Sequence, residues 1–294
     1  MYSPFLWYFI TFSEEKCCLI NLNGLHWNTL EFFQYNKLNK RMKMILFTIG
    51  TFNVYTFSIL LALSFVVSTF IVWKFAKEEF KEEEYLDAYL YTSIVSLIAA
   101  RIIYILLHFD DFGINLLRYI LVRETPGLSL LGGLCFGVIF LWWYTKLKKT
   151  GYFHILDIFS IAGGFALFLV KVGEQLGGAA FGKETNFFLA IQIAGLPGRR
   201  HPTELYESLI FLTTTIILMI IYHKQKRNKW PEGTTFYIFV FIFSVEVLLL
   251  EFLRNYNVYL YGLSLKQIGS IILLILIIKP IYKRFRTIFN QKKE

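Results

Sequence analysis

Seven stretches of this chain run apolar for about the thickness of a membrane, and each is closed by a polar, often basic, connector. Roughly 20 consecutive apolar residues carry a helix across the hydrocarbon core of a bilayer. The pattern predicts spans over roughly 50–73, 86–108, 127–145, 152–176, 203–222, 234–254 and 264–282. These runs are continuous, without the ten-residue alternation of a membrane barrel, and a lipid-embedded backbone must satisfy its own hydrogen bonds; both points select helices. The expected fold is an all-α integral membrane protein of about seven transmembrane helices. The spans form one membrane domain over 45–285, with a doubtful N-terminal extension or arm over 1–44 and a basic cytoplasmic tail over 286–294.

The connectors set an orientation. Those after spans one, three and five, together with the C-terminal tail, carry 16 Lys and Arg, whereas those after spans two, four and six carry five: Arg118, Arg123, Lys183, Arg199 and Arg200. The positive-inside rule places the richer set in the cytoplasm, so the domain is expected to start outside and end inside. Residues 1–44 conflict with that scheme, because they place Lys16, Lys37, Lys40, Arg41 and Lys43 on the outer side. Their apolar start lacks the basic residues and small-residue cleavage site of a signal peptide. Met42 and Met44, just ahead of the first span, suggest a later native start.

Composition narrows the class further. Hydrophobic residues make up 56% of the 294, and the mean hydropathy is +0.52, too apolar for a soluble domain. The excess of 30 Lys and Arg over 21 Asp and Glu falls in short juxtamembrane clusters that face lipid headgroups, which argues against a nucleic-acid partner. Cys17, Cys18 and Cys135 have neither metal nor redox spacing, and no metal or other cofactor is expected.

Against this background the charges inside the spans stand out. A charge in hydrocarbon costs ~2.5 to 3.5 kcal/mol on insertion scales and marks a functional site by default. Arg101, Lys171, Glu174, Glu207, Glu246, Glu251 and Arg254 all fall toward the outer surface once the spans are threaded alternately. Arg101 has Tyr104 three residues on, on nearly the same helix face; the alternative is an arginine snorkelling to the interface. Gly132 and Gly133, entering span three, permit close approach of either a lipid headgroup or a second helix. Span four ends in VKVGEQLGGAAFGK, where Lys171 and Glu174 either pair with each other or, with Gly173 and the glycines that follow, cradle a phosphate. GRRHPTELYES opens span five: Pro202 suits a first helical position and Glu204 complements the helix dipole. Neither role explains Tyr206 and Glu207 inside the span, or His201 at the interface, where an imidazole can exchange a proton near neutral pH. Glu251 and Arg254, three apart, either form a local pair or aim Arg254 at a substrate.

The order of these motifs resembles the prolipoprotein diacylglyceryl transferase family over roughly residues 45–285. FTIG before span one, ARIIYILL in span two, GLSLLGG entering span three, RHPTELYE entering span five and EFLR closing span six carry the resemblance. RHPTELYE in a seven-span chain is the most specific of them. The resemblance implies a bacterial cytoplasmic-membrane enzyme with its active site toward the outer face. Such an enzyme transfers the diacylglyceryl group of phosphatidylglycerol to the lipobox cysteine of a preprolipoprotein signal peptide, the first step of lipoprotein maturation. The implied site takes His201, Glu174, Glu251 and Tyr206 as catalytic candidates. Arg101, Tyr104, Gly132, Gly133, Lys171, Gly173, Glu207 and Arg254 are the substrate-binding candidates.

The chain departs from the family pattern at several of those positions. Leu131 stands in place of a histidine before the two glycines, Lys171 in place of an arginine and Glu174 in place of an asparagine. Gly177 and Ala179 replace a later asparagine and glutamate, Val247 replaces an arginine one turn before Glu251, and Phe57 replaces a tyrosine near Tyr55. Lysine keeps the charge of arginine but loses the planar fork that grips a phosphate, and loss of one catalytic donor costs ~10²–10³ in rate. Compensation would fall to His201 or Glu174 as base, with Arg101, Lys171 and Arg254 as the anion site. The alternatives are an inactive paralogue that binds phosphatidylglycerol or prolipoprotein without transfer, and a small-solute transporter. Transport predicts charges through the inner halves of the spans, where Asp157 is the chief exception to an apolar run.

Overall fold

A computed structural model describes residues 45–49, 52–79, 81–107, 109, 128–178, 181–192, 198–254 and 262–291. The N-terminal arm, Arg118, Arg123 and Ala179 lie outside them. Among the described residues seven helices are long and apolar enough to cross a membrane: α1 (Thr56–Lys77), α2 (Glu82–Leu107), α3 (Leu130–Lys148), α4 (Tyr152–Gly177), α5 (Thr203–Arg227), α6 (Thr234–Leu250) and α7 (Leu265–Gln291). A short 3-10 turn, Glu251–Leu253, extends α6. The spans expected from hydropathy are all present, and the described residues form an all-α integral membrane fold with seven helices able to span.

Two boundaries moved, each for a local reason. The first apolar run predicts a span from about residue 50, but α1 begins at Thr56 because β1 (Ile45–Ile49) and β2 (Phe52–Tyr55) form an antiparallel hairpin, with Thr48 opposite Asn53. β-Branched and aromatic residues, which supply seven of the nine strand positions, favour strands, and a hydropathy window does not separate them from a helix. At the other end α7 continues through Pro280 to Gln291, so the basic stretch after Lys279 begins within the helix.

The chain divides into two compact units, one holding Thr92–Phe140 and the other Leu38–Tyr91 with Leu141–Glu294. In the first, the later part of α2 packs on the start of α3 through small residues. A Cβ on Gly133 would meet the Ala100 Cβ and the Ser96 carbonyl oxygen, both at 3.1 Å, and one on Gly137 would overlap the Ser96 hydroxyl. Close backbone approach through small residues drives association in lipid, where the hydrophobic effect gives no advantage to one apolar neighbour over another.

In the second unit α4 is central and the most buried of the seven spans, packed against α1 and α5; α5 in turn meets α6, and α6 meets α7. Gly164 lets α4 approach Thr215 of α5, and Gly173 lets it approach Phe57 and Leu60 of α1. The end of this unit that carries the start of α4 and the end of α5 is locked by polar side chains. Asp157, fully buried, accepts hydrogen bonds from the Gln225 amide at 2.6 Å and from the backbone N–H groups of Gly233 at 2.7 Å and Phe236 at 2.8 Å. It thereby caps α6 from a neighbouring helix, satisfying donors that a helix start leaves orphaned. Nearby, Glu79 between α1 and α2 meets the His154 imidazole at 2.7 Å and accepts from the Tyr85 hydroxyl at 2.9 Å. Burial alone would raise the Glu79 carboxyl, but His154, Tyr85 and Lys226 outweigh it and hold the group down at about 2.

Candidate functional site

At the opposite end of the same unit, where α4 ends and α5 begins, the intramembrane charges converge. Lys171 and Glu174 share a face of α4 three residues apart, and the lysine ammonium reaches the Glu174 carboxylate at 2.6 Å. The same ammonium reaches Glu207 of α5 at 2.8 Å. Glu207 also accepts from the Arg254 guanidinium at 2.9 Å, so one carboxylate bridges the two cations. Arg254 further pairs with Glu204 in the first turn of α5, and with Glu251 at 3.6 Å within its own 3-10 turn. The Thr203 hydroxyl donates to Glu204 and lies 3.5 Å from the Arg254 Nε. Lys266 of α7 reaches Glu251 at 3.7 Å.

These side chains are withdrawn from solvent: Lys171 is 11% exposed, Arg254 13%, Glu207 6%, Glu251 5% and Glu204 1%, whereas Glu174 is the most open carboxylate at 25%. Glu246 of α6, 4% exposed, faces Glu207, Lys171 and Arg254, and its Oε1 has no hydrogen-bond partner among the described residues. A charge moved into so dry a setting costs several kcal/mol unless it is paired, which is why the network is continuous.

The backbone around the network is set by a glycine. Gly182 donates its N–H to the His201 carbonyl at 2.9 Å and forms an antiparallel bridge with Arg254, while the Lys183 N–H donates to the Leu253 carbonyl at 2.7 Å. A Cβ at Gly182 would meet the Leu253 oxygen and the His201 Cβ at 2.7 Å, so only glycine lets the three segments approach. β3 (Ile191–Gln192) and β4 (Arg199–Arg200) pair beside them, and Arg200 is tied to Glu184 at 3.2 Å. His201 follows directly, with its Nδ1 3.4 Å from the Tyr206 hydroxyl.

The structure therefore joins Lys171, Glu174, Glu207, Glu251 and Arg254 in one network and sets His201 with Tyr206 on the same helix start. Gly173 is used for packing of α4 on α1. Arg101, Tyr104, Gly132 and Gly133 belong to the other unit. There a Cβ on Gly132 would overlap Ile103, the helix-packing alternative of the two open for that glycine. Sequence reasoning missed what Glu204 does: a glutamate in the first helical turn satisfies the dipole whether or not it also holds an arginine some 50 residues away. It also missed Thr203 and the close approach at Gly182. Among the described residues no three His, Cys, Asp or Glu side chains are placed to hold a metal ion.

Residues 44–282 match the family model for prolipoprotein diacylglyceryl transferase. The phosphatidylglycerol--prolipoprotein diacylglyceryl transferase of Clostridioides difficile strain 630 is 29% identical over 178 residues, 60% of this chain and 69% of that protein. The enzyme of the same name from Finegoldia magna is 30% identical over 191 residues, 65% of this chain and 74% of that protein. Its counterpart in Clostridium botulinum strain Langeland is 27% identical over 207 residues, 64% and 75% of the two chains. With a match across most of its length, and with the charged network built from the motifs that carry the likeness, the chain belongs to the prolipoprotein diacylglyceryl transferase family.

Proposed function

We propose that this protein transfers the diacylglyceryl group of phosphatidylglycerol to the lipobox cysteine of a prolipoprotein, at the outer face of a bacterial cytoplasmic membrane. The observation that carries the reading is the buried Lys171–Glu207–Arg254 bridge at the start of α5, inside a chain of this family. In the reaction the cysteine thiol loses its proton, its sulfur bonds to the terminal glycerol carbon, and the carbon–oxygen bond to phosphate breaks with its electrons leaving on glycerol phosphate. Fixed cations favour a phosphate leaving group in a water-poor site. Lys171 and Arg254 supply two, held at the ends of adjacent helices by Glu207. The phosphate displaces Glu174, the carboxylate most open to solvent, from Lys171. Either the freed Glu174 or His201 takes the thiol proton.

A second reading draws on one specific observation: both buried cations already hold carboxylates, Lys171 two and Arg254 three. A network that stays closed in this way binds lipid or prolipoprotein without transfer. One assay separates the two. Purified protein is given phosphatidylglycerol labelled in its acyl chains and a lipobox peptide, with a cysteine-to-serine peptide as blank. Cysteine-dependent label on the peptide supports the enzyme. Folded protein that retains phosphatidylglycerol and yields no labelled peptide refutes it in favour of the binding paralogue.

A further inference from the structure

The connector between α4 and α5 builds a small sheet beside the charged network. Residues 182–185 bond on one side to Leu253, through the Lys183 N–H at 2.7 Å. On the other side they meet 199–201: the Thr185 N–H donates to the Arg199 carbonyl at 2.8 Å and the His201 N–H to the Lys183 carbonyl at 3.1 Å. Arg200 is paired with Glu184 on one side and with Ile191 on the other, so the chain between Thr185 and Ile191 has to pass across β4.

That crossing is a tight turn with apolar corners. The Phe187 N–H donates to the Thr185 hydroxyl at 3.2 Å and the Ala190 N–H to the Phe187 carbonyl at 2.9 Å, which fixes the turn at both ends. Ala190 is buried, and the Phe187 ring lies against His201, with 5.9 Å between centroids, and against Phe188 at 4.5 Å. Phe188 and Leu189 occupy the two corners, 77% and 43% exposed. Turn corners are ordinarily Gly, Pro, Asn, Asp or Ser. A phenylalanine and a leucine held outward there by hydrogen bonds are costly in water and at home in lipid.

The neighbouring surface is also apolar. Leu176 at the end of α4, and Leu205 and Leu209 in the first turns of α5, are exposed. The Leu205 N–H donates to the Gln175 side chain at 3.2 Å, so the two helix ends stand together with their leucines outward, as lipid-facing positions of spans do. The turn hangs from the residues just ahead of α5 and continues that surface. Charge agrees with a lipid partner: residues 181–200 hold Lys183, Arg199 and Arg200 against the single carboxylate of Glu184. Arg200 is tied to Glu184, and the exposed Lys183 and Arg199 leave the segment net positive. Apolar side chains set beside basic ones suit the headgroup layer of an anionic bilayer.

We propose that the turn at 187–190 is a membrane anchor: Phe188 and Leu189 enter the acyl boundary of an anionic phospholipid leaflet, and Lys183 and Arg199 meet its phosphates. The Phe187–His201 ring contact and the Gly182–Arg254 bridge then hold the network at the depth of the lipid phosphates. The inference needs the membrane fold and not the transferase reading, which its failure would leave standing.

The full chain, with Cys17, Cys18 and Cys135 changed to serine, carries a nitroxide label at Phe188→Cys in nanodiscs of phosphatidylglycerol with phosphatidylcholine, or of phosphatidylcholine alone. Leu209→Cys in α5 serves as the lipid standard and Asn228→Cys, exposed in the turn after α5, as the water standard. Collision of the label with oxygen, which concentrates in hydrocarbon, relative to a water-soluble nickel chelate reads its depth. In anionic discs the ratio at 188 is expected to be about fivefold that at 228 and close to that at 209. It is expected to fall by about half in neutral discs, and likewise in anionic discs when Lys183→Gln and Arg199→Gln are combined. Leu189→Cys, at the other corner, is read in the same way and decides if the Phe188 variant does not fold. A ratio equal to that at 228 overturns the proposal. A lipid-like ratio that appears only on adding a lipobox peptide also overturns it, making the turn a peptide contact. So does a ratio indifferent both to lipid charge and to the paired substitutions.

Discussion

Replacing Arg254 with alanine removes the residue on which most of the charged network depends. Its guanidinium serves Glu204, Glu207 and Glu251, carboxylates only 1–6% exposed. After the substitution Glu207 keeps Lys171 at 2.8 Å and Glu251 keeps Lys266 at 3.7 Å, but Glu204 retains only the Thr203 hydroxyl. One buried carboxylate is then left without a cation, and breaking a buried pair by removing one partner costs ~3–5 kcal/mol. For a chain of this size that is roughly 5–15 °C in the unfolding midpoint. The cost lies in the stranded charge, so neutralising it should recover part of the loss: Arg254→Ala with Glu204→Gln is expected to unfold at a higher temperature than Arg254→Ala alone. Thermal unfolding of the four proteins of this cycle, in one detergent at one pH, measures the coupling directly. A midpoint within about 2 °C of wild type for Arg254→Ala, or a double variant less stable than both singles, would refute the reasoning.

Four further outcomes are expected. Lys171→Ala abolishes diacylglyceryl transfer to a lipobox peptide and Lys171→Arg retains part of it, whereas Arg200→Ala, which removes a partner of the half-exposed Glu184, has a smaller effect in the same assay. Asp157→Ala strands the Gln225 amide and two backbone N–H groups and lowers stability by ~2–4 kcal/mol in denaturant titration. Gly182→Ala pushes a methyl into the Leu253 carbonyl and His201, and is expected to cut transfer at least tenfold by opening the segment that seats Arg254, read as product formed per folded molecule. Glu79 has a folded-state value of about 2 against an ordinary 4.5, so its stabilisation is full above about pH 5 and is lost as pH falls toward 2; Glu79→Gln should flatten the pH dependence of unfolding in that window.

The spans were legible because hydrocarbon imposes one rule on every helix that crosses it, and each of the seven helices holds a stretch long and apolar enough to obey it. The network was legible in part for the same reason: Lys171, Glu207 and Arg254 have no place in an apolar run unless something holds them. Their partners were harder to assign. Sequence spacing shows neighbours three or four apart, and it gave the Lys171–Glu174 and Glu251–Arg254 pairs. It does not show which helix turns toward which, and the bridging role of Glu207 and the hold of Glu204 on Arg254 depend on that. Asp157 shows the same limit. As a lone acid near a span end it resembles an interfacial residue, yet it is fully buried because three donors, from the last turns of α5, the turn after it and the start of α6, converge on it. The hairpin ahead of α1 escaped because a short apolar run reads alike as strand or helix by hydropathy.

The central claim, group transfer at the Lys171–Glu207–Arg254 bridge, is tested most directly by the stoichiometry of products. Lipobox peptide is incubated with the purified protein and phosphatidylglycerol, and intact-mass spectrometry of the peptide is paired with quantitation of free glycerol phosphate. The account predicts one diacylglyceryl thioether on the cysteine for each glycerol phosphate released, with both lost together in Lys171→Ala. Peptide that gains a single acyl chain, glycerol phosphate released without peptide modification, or undiminished product from Lys171→Ala would contradict it.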